Sequence, residues 1–482
     1  MIIYQAPFTL LELAVKSLLR NEALAVSVLQ QLPRELFPSL LKEAFKSRHM
    51  KILTAMVAEW PFSCLPAGAL MQDPDVVILQ AVLDGVDMIL AQKVHLRRSK
   101  LRVLDLRNVH HVFWDVWPGT EYGESSKGTL SKEQTGNGLP RYALRQLLKV
   151  VTDFDLRTHL DEQQAYLLQW SRQQKRFVQL CCIKMTIFQT PVEIIKMVLN
   201  SFQPYYIEEL ELCTGCTPEA LSHFARCFGQ MRNLHKLHLS CIYIYNNKAV
   251  NTLEDIECKY IARFISQISK FKCLQHISMN GTNFSSEHMK QLFRCLKSPL
   301  ESLSIDFCEF SQSDLEYLCQ CQRLFQLKHL NFFGIELFNT GPIPFQFLLE
   351  NVTTTLQTLE LEDCGIGDSQ LSALLPALSQ CIQLTRVNFY DNIISMSVLK
   401  DLLQSLANMS NITEEFYPAP LECYDDLGYV LVNKFTKVCP DLLNTLRVKR
   451  QPKAISFATN ICCICLRRCV FDGKTRLCHC WS

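Results

Sequence analysis

From about residue 207 onward the apolar positions of this chain fall into one recurring word. Ile207-x-x-Leu210-x-Leu212 is followed by Leu234-x-x-Leu237-x-Leu239, Leu274-x-x-Ile277-x-Met279 and Leu300-x-x-Leu303-x-Ile305. Leu327-x-x-Leu330-x-Phe332, Leu356-x-x-Leu359-x-Leu361 and Leu384-x-x-Val387-x-Phe389 continue it. Two apolar residues one position apart predict a short strand buried on one side. Between these words run helical stretches such as Leu371-x-x-Leu374-Leu375-x-x-Leu378, with Asp368 placed to act as N-cap. Ser311-x-x-Asp314, ahead of Leu315 and Leu318, is a second helix-start signal. The middle anchors at 303, 330, 359 and 387 step by 27, 29 and 28 residues, whereas 237 to 277 is a step of 40, so an insertion is expected around 242–258.

A unit of one short strand and one helix cannot bury its own apolar face, but stacked units can. The period is that of a long leucine-rich repeat, and the predicted fold class is an α/β solenoid with a parallel inner sheet and outer helices. Cys308, Cys364 and Asn392 each lie three residues past a final anchor, where such a side chain caps unpaired backbone groups as the strand leaves the sheet. The residues between anchors point to the concave face. They form a mixed, hydrogen-bonding row that includes Asn331, Phe333, Glu360, Arg386, Asn388 and Tyr390. This row reads either as solvated strand surface or as a protein-binding face, with Phe333 and Tyr390 as the first anchors to test.

The first hundred residues have a different pattern. Leu10, Leu13, Ala14 and Leu18, then Leu24, Val28, Leu29 and Leu32, recur at helical steps, and Pro33, Pro38, Pro61 and Pro66 divide the stretch into short helices. Four regions follow: a helical region 1–100, irregular first repeats 101–206, regular repeats 207–420, and a cap with a cysteine-rich tail 421–482. Leu101-x-x-Leu104-x-Leu106 predicts a strand in the second region, and the polar, Gly/Ser-rich residues 118–140 predict a mobile loop.

Composition narrows the function classes. The chain has 49 basic and 47 acidic residues, a balance that gives no polyanion-binding signal. No stretch reaches the length of about 20 apolar residues needed to cross a bilayer. The start has no basic n-region, and Glu12, Lys16 and Arg20 interrupt the next apolar run, so it reads as amphipathic rather than as a signal peptide. The 23 cysteines are then expected as reduced thiols in the cytoplasm or nucleus. No phosphate loop, nucleophile elbow or His-Glu-x-x-His word occurs, which favours a binding protein over an enzyme, and no cofactor is required. The sharpest chemical feature is terminal. Cys462-x-x-Cys465 and Cys478-x-Cys480 are two chelating pairs separated by twelve residues, a set that can close a structural tetrathiolate zinc site; the alternative is a free-thiol tail. Cys463, Cys469 and His479 lie nearby.

Several longer words carry a resemblance. They include Ser17-Leu18-Leu19-Arg20-Asn21-Glu22-Ala23-Leu24, Leu32-Pro33-Arg34-Glu35-Leu36-Phe37-Pro38, Trp60-Pro61-Phe62-Ser63-Cys64-Leu65-Pro66, Leu101-Arg102-Val103-Leu104-Asp105-Leu106-Arg107 and the terminal cysteine pairs. Together they resemble the PRAME (preferentially expressed antigen in melanoma) family, including its oogenesin-like germline members, across nearly the whole chain. The resemblance implies a substrate-recognition adaptor of a cullin-2 RING ubiquitin ligase that directs bound proteins to proteasomal degradation. Thr9-Leu10-x-x-x-Ala14-x-x-x-Leu18 matches the elongin-binding box, with alanine at the usual cysteine, and Leu32-Pro33-x-x-Leu36 matches the cullin box. The frame Ser17-Leu18-x-x-x-Glu22-x-x-x-Val26 also fits but puts a carboxylate at the buried position. An ordinary capping helix is the plainer reading of the same residues. The implied partners are elongin C, cullin-2 and a protein substrate, with no direct nucleic acid or membrane. The family's alternative role is a transcriptional corepressor or scaffold in germline proliferation, differentiation and apoptosis control. The Leu-x-x-Leu-Leu words at 144–148, 371–375 and 399–403 could serve that role but have the spacing of buried helix faces.

Overall fold

The computed structural model describes residues 9–71, 75–91, 100–109, 111–115, 147–213, 218–242, 251–282, 284–337, 341–462 and 464–480. The expected loop 118–140 and residues 243–250 of the expected insertion lie outside the described residues. The chain divides into two compact units, one built from 1–154, 159–184 and 197–203, the other from 155–158, 185–196 and 204–482.

In the first unit, helices Leu10–Leu19, Glu22–Val28, Phe37–Lys46 and Met50–Ala58 precede the short strand Cys64–Pro66, and helix Val76–Ala91 follows it. Cys64–Pro66 pairs in parallel with Val103–Asp105, which pairs in turn with residues 149–151. The predicted strand around Leu104 is therefore present, and Leu104 is fully buried. Gly85 lets two helices cross closely: a Cβ there would lie 2.5 Å from the Thr54 carbonyl oxygen. Trp60 organises the aromatic core, edge-on to Phe37 at 6.3 Å and to Phe62 at 5.4 Å, while its indole N–H donates to the Cys64 carbonyl at 2.9 Å.

The second unit is a leucine-rich-repeat α/β solenoid. Strands Glu209–Cys213, Lys236–Ser240, His276–Asn280, Ser302–Asp306, His329–Phe333, Thr358–Glu362 and Arg386–Asn388 pair in parallel, each with the next. The register aligns Leu210, Leu237, Ile277, Leu303, Leu330, Leu359 and Val387 in one row. All seven are at most 1% exposed, as are their second partners from Leu212 to Phe389. Helices close the other side of each repeat, and the long step contains the helix Asn251–Ser266.

Six of these seven strands lead into the same bend. Cys241, Gly281, Phe307, Gly334, Asp363 and Asp391 all have φ between 50° and 62°. Asn392 stabilises the last of these bends as predicted. Its side-chain oxygen accepts from the Cys364 and Ile366 amides at 3.2 and 2.9 Å, and its NH₂ donates to the Leu361, Phe389 and Tyr390 carbonyls. Cys364 donates more weakly, through sulfur, to the Phe332 and Glu362 carbonyls at 3.3 and 3.4 Å. Cys308 does the same toward Asp306, at 3.3 Å.

Asp368 departs from expectation. Gly367 is the N-cap of helix Asp368–Leu378, and the Asp368 carboxylate instead accepts from the Ser395 amide at 2.8 Å. It therefore caps the next repeat's helix, Met396–Leu406, whose Met396 amide donates in the same way to Glu422 at 2.9 Å. Ser311 is a capping-box N-cap as expected.

An eighth repeat was not legible. Glu414–Pro418 pairs in parallel after Arg386–Asn388 and places Glu415 beside Val387, in the leucine row. Ala454–Ala458 adds a further parallel strand, and Val470–Phe471 and Thr475–Arg476 follow antiparallel.

Candidate functional site

Three places hold the residues singled out by sequence. In the first unit, the helix Leu10–Leu19 starts at a Thr9 capping box: the Glu12 amide donates to Thr9 Oγ1 at 3.2 Å and the Thr9 amide to Glu12 Oε2 at 2.7 Å. Two reciprocal bonds fix the first turn at an end where backbone donors otherwise lack partners. The helix buries Val15 and Leu19. Leu10 is 86% exposed, Leu13 50% exposed, and Ala14 is also exposed, with Leu18 half-buried. The apolar stripe read from helical spacing thus faces solvent, and a different pair anchors the helix. Leu24 and Val26 on the following helix are exposed as well. Leu32 and Leu36 are half-buried and Pro33 is exposed, around a tight 3₁₀ turn at Arg34–Leu36. In the alternative frame, Glu22 lies within 3.8 Å of both His49 and Lys51.

In the second unit, the sheet face carries a chain of polar contacts. Asn331 donates to Ser304 Oγ at 3.0 Å and to Asp306 at 3.1 Å. Phe333 lies edge-on to the exposed Phe307 at 4.5 Å, and Phe307 packs above Gly334, where a Cβ would meet its ring at 2.5 Å. Arg386 bridges Glu360 and Glu414 and stacks over Phe416 at 4.8 Å. Asn388 is buried and donates to Glu362 at 2.8 Å. Tyr390 is held from two sides: its hydroxyl bonds Ser456, and the Arg468 guanidinium lies over its ring at 5.2 Å. Burial raises the Tyr390 pKa. Arg468 also donates to Asp391 and, at 2.9 Å, to Glu362. On this face Phe307 is exposed and Phe333 half-buried, whereas Tyr390 is covered by Arg468. Beside Tyr390 a cleft of about 650 Å³ opens, with Phe416, Ser456, Arg447, Lys453 and Arg476 among its lining.

The third place is the tail. The sulfurs of Cys462, Cys465, Cys478 and Cys480 all lie within 4.8 Å of one another, and no disulfide joins them. The Ile464 and Cys465 amides donate to the Cys462 sulfur, which lowers that thiol's pKa. Partial desolvation raises Cys465, but the Arg467 amide and the three neighbouring thiols outweigh it and bring the pKa down to about 6. Cys480, sharing protons with Cys462 and Cys465, is pushed up to about 12. Cys478, raised chiefly by desolvation, reaches about 11. The four thiols shift in opposite directions, as expected where four like charges are brought together without a cation. Cys469 lies outside the set and accepts from the Cys478 amide at 3.3 Å.

Sequence reasoning missed Glu415, which is fully buried and accepts from Arg450 at 2.8 and 2.6 Å and from the Tyr417 hydroxyl at 2.8 Å. The corepressor words lie mostly in the core: Leu371, Leu374, Leu399, Leu402 and Leu403 are fully buried, while Leu144 lies outside the described residues. No helix among the described residues is long and apolar enough to cross a membrane.

Stacked strand–helix units with a buried anchor row define a leucine-rich-repeat protein. Residues 7–114 match the PRAME N-terminal domain and residues 148–480 the PRAME C-terminal domain. The chain is 44% identical to human PRAME family member 12 over 475 residues, covering 98% of this chain and 97% of that one. It is 41% identical to mouse Oogenesin-3 over 476 residues, covering 98% and 94%. The chain belongs to the PRAME family. Among solved structures, an internalin from Listeria monocytogenes aligns at 13% identity and a TM-score of 0.29, over 49% of this chain and 71% of that one, a level that carries no functional argument.

Proposed function

We propose that this chain is a non-enzymatic substrate-recognition adaptor of a cullin-2 RING ubiquitin ligase. Its N-terminal helix would dock on elongin C, the Leu32-Pro33-x-x-Leu36 turn on cullin-2, and the sheet face would hold the protein to be ubiquitinated, in the cytoplasm or nucleus. The observation that carries the reading is the outward apolar ridge of Leu10, Leu13 and Ala14 on a helix that is already capped and anchored by other residues. An exposed i, i+3, i+4 ridge is what a helix-in-groove partner takes up. The sheet face supports it with an aromatic pair, Phe307 and Phe333, among hydrogen-bonding groups. The test is co-purification from a germline cell line. Wild type should recover elongin C and cullin-2, and Leu10→Asp should lose both. Equal recovery by the two, or recovery by neither, would remove the proposed docking site.

A further inference from the structure

The geometry points to a structural zinc ion held by the Cys462, Cys465, Cys478 and Cys480 thiolates, with the metal-closed tail serving as the clamp that fixes Arg468 on the sheet face. This inference does not depend on ligase assembly.

The distances suit the ion. A zinc–sulfur bond of about 2.3 Å places the sulfurs of a tetrahedral site about 3.8 Å apart. The Cys462 and Cys480 sulfurs are 3.7 Å apart, and the four sulfurs already converge within 4.8 Å. The first pair sits on a tight knuckle. The Leu466 amide returns to the Cys462 carbonyl at 2.9 Å, the Cys462 amide donates to the Arg467 carbonyl at 2.9 Å, and Leu466 takes a φ of 55°. The turn directs amides at sulfur, an arrangement that disperses thiolate charge. Four protein ligands leave no open coordination position, so the role is structural. Arg467, Arg468, Lys474 and Arg476 lie in the segment between the two chelating pairs, a basic stretch of sequence next to the net negative charge that a tetrathiolate zinc carries.

The tail also needs a staple. Its two strands, Val470–Phe471 and Thr475–Arg476, have two residues each, and among its described residues only Cys469, Phe471 and Cys478 are buried apolar groups. A segment this short has too little core to fold unaided. Between its chelating pairs lies Arg468, whose side chain is 16% exposed and which joins Glu362 and Asp391 to the tail while covering Tyr390. Closing the metal loop holds this arginine in place, and opening it uncovers three sheet-face residues.

The experiment uses the full chain purified without chelator. Elemental analysis should find about one zinc per chain, and Co²⁺ exchanged into the site should give the visible bands of a tetrahedral thiolate complex. Cys462→Ser/Cys465→Ser should lose that metal, and Cys213→Ser/Cys241→Ser should keep it. Because the first variant could misfold, wild type is also treated with a zinc chelator and probed by limited trypsin digestion. Cleavage after Arg467 and Arg468 should accelerate at least tenfold, leave the repeats intact, and reverse when zinc is restored. Purified chain with no zinc, zinc retained by Cys462→Ser/Cys465→Ser, or tail cleavage unchanged by chelation would each overturn the proposal.

Discussion

Glu415 occupies a leucine position and Arg450 makes that possible. The carboxylate is fully buried in the anchor row beside Val387, and the guanidinium donates to both of its oxygens, at 2.8 and 2.6 Å. Tyr417 completes the set through its hydroxyl, and burial together with the Glu415 charge holds its pKa well above the usual range. Removing one partner of a buried ion pair leaves an uncompensated charge, at a cost of about 3–5 kcal/mol, whereas replacing both by apolar residues is often neutral. Arg450→Met should therefore destabilise strongly, and Glu415→Leu/Arg450→Met should recover most of the loss. A double-mutant cycle in urea denaturation checks this, with additive effects as the contrary result.

Asn392 satisfies five backbone groups, all within 3.2 Å. Leaving a buried donor or acceptor unmade costs about 1–3 kcal/mol each. Asn392→Ala should cost at least about 3 kcal/mol, and hydrogen exchange should show the loss first at the Cys364 and Ile366 amides. Uniform loss of protection along the repeats would not fit a local cap.

His288 supplies a pH signature. Burial lowers its pKa, with the Cys258 carbonyl and Glu287 opposing. Its Nε2 is 3.0 Å from the Cys258 carbonyl and its Nδ1 is 2.9 Å from Ser285 Oγ. The folded chain resists protonation of this imidazole, while the unfolded chain takes up a proton below about 6.5. The associated stability is present above that pH and is lost as pH falls, by at most about 1.4 kcal/mol per unit. His288→Gln should flatten the stability profile between pH 7.5 and 5.5, read as a wild-type minus variant difference. Parallel curves would contradict the assignment.

Under the proposed adaptor function, Phe333 rather than Tyr390 is the substrate anchor to test, because Tyr390 is already engaged by Ser456 and Arg468. Phe333→Ala should reduce proximity labelling of client proteins while leaving elongin C labelling unchanged. Loss of both would indicate general unfolding.

The regular repeats were legible because a strand alternates with a period of two, and an unbroken row of apolar residues, mostly leucine, shows that period directly. The pattern ended early at Phe389 because the next unit, Ile412-x-x-Glu415-x-Tyr417, puts a carboxylate in the row, and its partner lies 35 residues away. Asp368 was misplaced for a related reason: its acceptor role is toward Ser395 in the neighbouring repeat, a relation that local spacing does not encode. Among the candidate sites, the cysteine pairs could be read because short chelates announce themselves. The Leu10 ridge could be read as apolar but not as outward, since helical spacing alone does not say which stripe Val15 and Leu19 will bury. The covering of Tyr390 by Arg468 joins positions 78 residues apart and needed the fold.

The central claim is that the outward Leu10 ridge docks elongin C. Its most direct measurement is a calorimetric titration of purified elongin C into the purified full chain, alongside Leu10→Asp. Leu10 is 86% exposed, so the substitution should leave the melting temperature unchanged. A buried interface anchor contributes about 2 kcal/mol or more, so the account predicts at least about thirtyfold weaker binding by Leu10→Asp. Equal affinity of the two proteins, or no binding by wild type, would contradict it.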